Sequence, residues 1–194
     1  MSFELSFASG AQLEVRSFRV VERMSQPFSI DVVARSPDPS VDLGALVGHP
    51  ARFTIAAHVR QGVAVAARSW SGLCDEAEQL AVERAGLSTY RIRIVARLRL
   101  LDGRISHRIY TARTTPEIVA ELLDEWEIPR VTRVERGAYP THVSRTQYRE
   151  SDGGFLHRLL EEAGISYTFE DGTCAVVLDD APQTRLRARG APFR

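Results

Sequence analysis

The chain has 194 residues, 44% of them hydrophobic, and its 25 basic residues balance 25 acidic ones to a formal net charge of +0. That length and apolar content let one large domain or two small ones bury a core without metal or disulfide staples. The neutral balance argues against a strongly basic nucleic-acid binder, and no apolar run approaches the roughly 20 residues of a membrane span.

Every basic residue is arginine, a bias that reads as coding composition more than chemical need, although arginine suits bidentate pairing with carboxylates. Cys74 and Cys174 are far apart and belong to no C-x-x-C pair, so neither a zinc site nor a disulfide framework is expected. The start, MSFELSFASG, has no basic segment and no apolar segment of a signal peptide. The expectation is a soluble protein made in the cytoplasm.

The first hundred residues are written mostly in period 2. Phe3, Leu5 and Phe7 alternate, as do Phe28, Ile30 and Val32, then Phe53, Ile55 and Ala57. Turn signals at Ser9-Gly10, Ser25-Gln26-Pro27, Ser36-Pro37-Asp38-Pro39 and Gly48-His49-Pro50 separate them. Many short strands at this spacing predict an antiparallel barrel or sandwich. Leu43 to Val47 reads as a single helical turn.

A long hairpin is expected from Trp70 to Leu101. Its second strand points Tyr90, Ile92, Ile94, Ala96, Leu98 and Leu100 one way, and Arg91, Arg93, Arg97 and Arg99 the other. The first strand carries Asp75, Glu76, Glu78 and Glu83. Opposite charges across an antiparallel pair contribute about 0.2–1 kcal/mol each, so much of the arginine stripe is expected to be neutralised locally.

After Asp102 the period changes. Thr114 and Glu117 are spaced as a capping box, with Thr115 before Pro116 as the other start. Ile118, Val119, Leu122, Leu123 and Trp126 then make a buried stripe, and Pro129 stops the helix. A linking segment passes through Tyr139-Pro140. Ser151 or Asp152 caps a second helix, whose apolar stripe is Phe155, Leu156, Leu159, Leu160 and Ala163. Gly164 supplies its left-handed end. Ile165, Tyr167 and Phe169 alternate afterwards, and Cys174 to Leu178 is a last strand.

Catalytic constellations are hard to find. Glu150 with Asp152, or Glu161 with Glu162, supply the two carboxylates a glycosidase needs, but helix neighbours at i, i+1 do not face one another and Asp152 sits beside an N-cap. His49, His58, His107, His142 and His157 follow no ligand spacing. Gly153-Gly154 reads as room for close packing rather than a phosphate cradle. The arginines from Arg91 to Arg99 lack aromatics interleaved on their own face, as base stacking would want; Trp126 reads as core. No catalytic, cofactor-binding or metal-binding residue is assigned, and no cofactor.

The stretch from Gln147 to Glu170, QYRESDGGFLHRLLEEAGISYTFE, resembles the signature of the VgrG family, the tip-spike proteins of type VI secretion, and of the related tail-hub proteins of contractile phages. Other segments resemble the same family: Phe18 to Glu22 followed by Ser25-Gln26-Pro27-Phe28, Leu46 to Ala51, Tyr90-Arg91-Ile92 through Leu101, Arg108-Ile109-Tyr110 followed by Thr115-Pro116-Glu117-Ile118, and Leu178-Asp179-Asp180. The departures are small: the family often has an acidic or aromatic residue where Gly153 and Gly154 stand, and a tryptophan near Arg99.

The resemblance implies a mainly β chain with α+β character. Residues 1–103 would form an antiparallel β-barrel of phage-tail-hub type. Residues 104–182 would be an α+β segment with two short amphipathic helices, the start of a second hub barrel region, and 183–194 an arginine-rich tail, flexible or truncated. It also implies a structural, non-enzymatic role as a homotrimeric hub that caps hexameric tube rings, contacts baseplate components, and carries a spike tip and effectors. Such a protein assembles in the cytoplasm, is injected on sheath contraction, and meets the target membrane only mechanically. A phage baseplate hub is the nearest alternative reading, and a cell-wall hydrolase carried by the spike a more distant one. The family continues further than this chain, so an N-terminal fragment is expected, with a shortened relative the other possibility.

Overall fold

Alternating apolar residues do become strands in the computed structural model, which describes residues 2–60, 63–82 and 87–181, with backbone alone at 58–60 and 63–65. Glu83 and the tail from 183 to 194 lie outside the described residues. The chain divides into two units.

The first unit holds residues 1–23 and 27–97, with 171–174 added from far along the chain. Its strands are β1 (Phe3–Phe7), β2 (Glu14–Arg23), β3 (Gln26–Ser36), β4 (Pro50–Ile55), β5 (His58–Arg60), β6 (Val63–Val65), β7 (Arg68–Val82) and β8 (Ser88–Val95). Six of them form one sheet in the order β1-β4-β7-β8-β3-β2, and β5 pairs separately with β6. Phe28, Ile30, Val32 and Ala34 of β3 are buried, with Ile30 opposite Ile94, Val32 opposite Ile92 and Ala34 opposite Tyr90 on β8. The sheet curls until its two terminal strands meet through side chains. The Phe18 ring of β2 lies 4.8 Å from Phe3 of β1 and 4.9 Å from the fully buried Phe53 of β4.

Close packing sets one glycine. A Cβ built on Gly72 would lie 2.1 Å from the Val95 carbonyl oxygen, a backbone atom that cannot swing away. Gly72→Ala is therefore expected to cost about 2 kcal/mol, in the range of core overpacking, read as a lower urea midpoint; an unchanged midpoint would contradict this.

Leu43 to Val47 is a hydrogen-bonded turn, as expected, with Leu46 and Val47 both donating to the Leu43 carbonyl at 3.1 Å. The arginine-bearing strand is shorter than its alternation suggests. It ends at Val95, and Arg97–Gly103 is a 3₁₀ helix. Leu98 and Leu101, three apart, are the buried residues of that helix, whereas Leu100 is exposed. Spacing of three suits a 3₁₀ turn, and alternate leucines there were compatible with either reading.

The second unit holds 24–26, 98–170 and the chain from 175 onward. It contains β9 (Ile105–Arg113), α1 (Thr115–Glu125), β10 (Arg130–Arg133), β11 (His142–Ser151), α2 (Asp152–Glu162), β12 (Ser166–Phe169) and β13 (Val176–Asp179). β9 and β11 form an antiparallel ribbon; β13 pairs parallel with β10 and antiparallel with β12. Thr114 caps α1 with the full capping box, and Ser151, not Asp152, caps α2 by accepting from the Gly154 N–H at 3.0 Å. Ile118, Val119, Leu122 and Leu123 of α1 and Phe155, Leu156, Leu159 and Leu160 of α2 are buried. Gly164, at φ +68, follows the α2 C-cap as expected. β10 lies within the stretch expected only to link. No helix among the described residues is long and apolar enough to cross a membrane.

Candidate functional site

The most organised polar cluster surrounds Asp152, the first residue of α2, whose side chain is fully buried. Gln147 on β11 donates to its Oδ1 at 2.8 Å. Trp126, at the C-cap of α1, donates its indole N–H to Oδ2 at 2.9 Å. Arg104, just before β9, donates to Oδ2 through Nε at 2.7 Å and through Nη2. The Arg104 guanidinium also lies 4.7 Å from the Trp126 ring, a cation–π contact. Arg104 and Arg108 together clasp Glu125, at 2.7 and 2.6 Å. Burial alone would raise the Asp152 pKa; hydrogen bonds from Gln147, Trp126 and Arg104, with the Arg104 charge, outweigh it and hold the carboxyl below its ordinary value. Glu125 is lowered too, first by Arg104 and then by Arg108.

A carboxylate so saturated with donors is a structural latch, not a general acid. It also sets a pH dependence. Asp152 and Glu125 have depressed folded values, so their contribution is fully present above the unfolded carboxylate range. It is lost as pH falls through about 4 toward the folded values. The urea midpoint is expected to be lower at about pH 3 than at about pH 7; equal midpoints would contradict the latch.

The other residues weighed for chemistry are dispersed. Glu150 is held by Arg158 at 2.5 Å and Glu162 by Arg145 at 2.7 Å, while Glu161 is exposed. His142 bonds Thr115 at 3.1 Å, His157 bonds the Tyr167 hydroxyl at 2.8 Å, His107 packs edge-on to Tyr148, and His49 is exposed. The His58 side chain lies outside the described residues. No group of three or more His, Cys, Asp or Glu is placed to hold a metal among the described residues. Burial pushes the Cys74 thiol up to about 11, which disfavours the reactive thiolate. Gly153 does serve close packing, since a Cβ there would meet Asp102 Oδ1 at 2.2 Å. On the hairpin, Arg91 pairs with Glu78 at 2.5 Å, and Arg91 and Arg93 both reach Glu76 at 3.9 Å. Arg91 and Arg93 are thus paired across the hairpin, as the facing carboxylates predicted, whereas Arg97 and Arg99 lie in the 3₁₀ helix. Trp126 corrects an expectation, being half-buried and committed to Asp152 rather than sealed in the core.

The ribbon of β9 and β11 inverts the usual rule. Arg108 and Tyr110 point inward, Arg108 to Glu125 and Tyr110 stacked on Phe155 at 5.7 Å. Ile105, Ile109 and Tyr148 are exposed by 68%, 69% and 64%. Alternation marks two faces but does not say which one a buried ion-pair cluster will claim. No sequence signal revealed this exposed apolar face.

This architecture, a curled antiparallel sheet with an α+β partner unit, is that of a tail hub protein. It matches an E. coli protein described as a component of the type VI secretion system with structural similarity to T4 bacteriophage tail proteins gp27 and gp5. The TM-score is 0.73 at 23% identity, over 91% of this chain and 49% of that one. The 43 kDa tail protein of prophage MuSo2 from Shewanella oneidensis matches with a TM-score of 0.62 at 15% identity, over 92% and 53%. Residues 21–194 match the phage tail baseplate hub (GPD) family, and the chain belongs to it. Two type VI secretion system spike proteins of Pseudomonas aeruginosa are similar in sequence. VgrG5 is 35% identical over 81% of this chain, and VgrG4b 33% identical over 86%. The chain spans 19% and 20% of their lengths.

Proposed function

We propose that this chain is the hub portion of a type VI secretion tip protein, a structural piece rather than an enzyme. The observation that carries this reading is the 35% and 33% identity to spike proteins over most of the chain. Three copies form a ring that caps the hexameric tube and supports a spike, and baseplate components, spike tip and effectors attach to the assembly. The first unit supplies the hub barrel, and residues 104–182 open a second barrel region. The machine is assembled in the cytoplasm, and the tip leaves the cell on sheath contraction. The engaged state of Glu150, Asp152 and Glu162 supports a mechanical role. A phage baseplate hub is the second reading, favoured by the family match and by the prophage tail protein of similar fold.

Light scattering across a wide range of concentration tests the reading. A trimer, strengthening with concentration, is expected; a stable dimer would contradict it.

A further inference from the structure

One cavity, of about 290 Å³, is lined by residues of the first unit. Phe7 of β1 and Ala51 of β4 are partners in register, are both buried, and contribute apolar surface to it. Arg52 from β4, Arg97 from the start of the 3₁₀ helix, Ser71 and the half-buried Cys174 also line it.

The two arginines are short of acceptors. Arg52 is exposed and donates to neutral groups, through Nε to the Ser71 hydroxyl at 3.0 Å and through Nη2 to the Gly172 carbonyl. Arg97 is half-buried, makes no hydrogen bond or ion pair among the described residues, and has its Nε shielded from solvent. Asp171, in the segment that reaches this cavity, accepts instead from the Ser69 backbone N–H at 3.0 Å. Arg68, Arg91 and Arg93 of the same unit each meet a carboxylate.

A shielded donor without an acceptor destabilises a folded chain, and an apolar side chain of similar volume would avoid that cost. Arginine at position 97 is therefore a liability to the chain alone and an asset once an anion arrives. Guanidinium groups bind carboxylates and phosphates through charge-assisted hydrogen bonds. The apolar surface of Phe7 and Ala51 selects an anion carried on a short hydrocarbon stem. A volume at the lower end of small-molecule sites admits a group about the size of one side chain.

We propose that this cavity is a socket for a carboxylate on a short apolar stem, held by Arg52 and Arg97. The inference goes beyond the hub reading and does not depend on it. Such a carboxylate comes from a free dicarboxylate or from a glutamate of a bound protein, and the experiment separates these sources.

Cys174 reports on the cavity it lines. Iodoacetamide, a neutral reagent, should label Cys174 well ahead of the fully buried Cys74 in the full chain. At constant ionic strength, saturating glutarate is expected to slow that labelling about tenfold, whereas its neutral isostere glutaramide should not. Inorganic phosphate, which lacks the stem, should protect far less than glutarate. A short acetylated peptide with an internal glutamate that protects at lower concentration than glutarate would assign the carboxylate to a protein partner; protection by glutarate alone would assign it to a free dicarboxylate. Arg52→Gln should raise the half-protecting concentration about tenfold. Arg97→Met should abolish protection while raising the urea midpoint, because it removes an unpartnered donor. Absence of protection by both glutarate and the peptide would overturn the socket, as would equal protection by glutaramide or phosphate. A lowered midpoint in Arg97→Met would make Arg97 a structural residue and overturn it too.

Discussion

Replacing Asp152 by alanine is expected to destabilise the second unit by about 3 kcal/mol. Removing one partner of a buried ion pair typically costs 3–5 kcal/mol. The lower end applies because Arg104 is about a third exposed and keeps Glu125. The Trp126 indole N–H loses its acceptor, and Gln147 retains only the Glu150 carbonyl. A buried donor left without a partner costs about 1–3 kcal/mol. Glu150→Ala should cost far less, within about 1 kcal/mol, because its pair with Arg158 is partly solvent-screened. Urea midpoints of the two variants check the ordering, and equal losses would mean that Asp152 is no latch.

Phe53→Ala is expected to cost about 4 kcal/mol, in the range for deleting a buried aromatic ring. Phe53 is fully buried, lies 4.9 Å from Phe18, and stacks on Trp70 at 6.1 Å. Because Phe18 and Phe3 join the two ends of the sheet without a ladder, the loss should concentrate there. Amide hydrogen exchange should rise more in β1 and β2 than in β3 and β8, whose facing residues from Ile30–Ile94 to Ala34–Tyr90 are buried. A uniform rise, or a loss below about 1 kcal/mol, would mean the curl does not depend on this ring.

Local chemistry was legible in the sequence where it is self-contained. The capping box of Thr114 and Glu117, the Ser151 cap and the Gly164 stop each occupy a few residues; the stop formed as read, and each cap is one of the two starts the sequence offered. Strands with one buried face, such as β3, announced themselves by alternation. What stayed hidden depends on distant partners. Asp152 looked like an ordinary helix-start residue because Trp126 and Arg104 are 26 and 48 positions away. The outward turn of Ile105 and Ile109 follows from Arg108 claiming the inner face for Glu125. Ser25, at φ 58, donates its N–H to the Tyr167 carbonyl at 2.8 Å, which makes residues 24–26 part of the second unit. No local pattern foretells a bond across that distance in the chain.

Family membership came from a different kind of signal. The segment from Gln147 to Glu170 carries β11, the Ser151 cap, α2 and β12 in one run, and Gln147, Asp152 and Tyr167 within it are all buried. Several of the residues that carry the resemblance thus lie inside the unit, while others, such as Tyr148 and Glu161, are exposed.

A chain proposed to serve as a tube-capping hub should bind the tube itself. Binding of the chain to preformed hexameric tube rings, measured by analytical ultracentrifugation with stoichiometry, is the decisive experiment. A complex of three copies per ring, seated on one ring face, is expected. A chain that self-associates yet leaves the rings unbound at every concentration would contradict it.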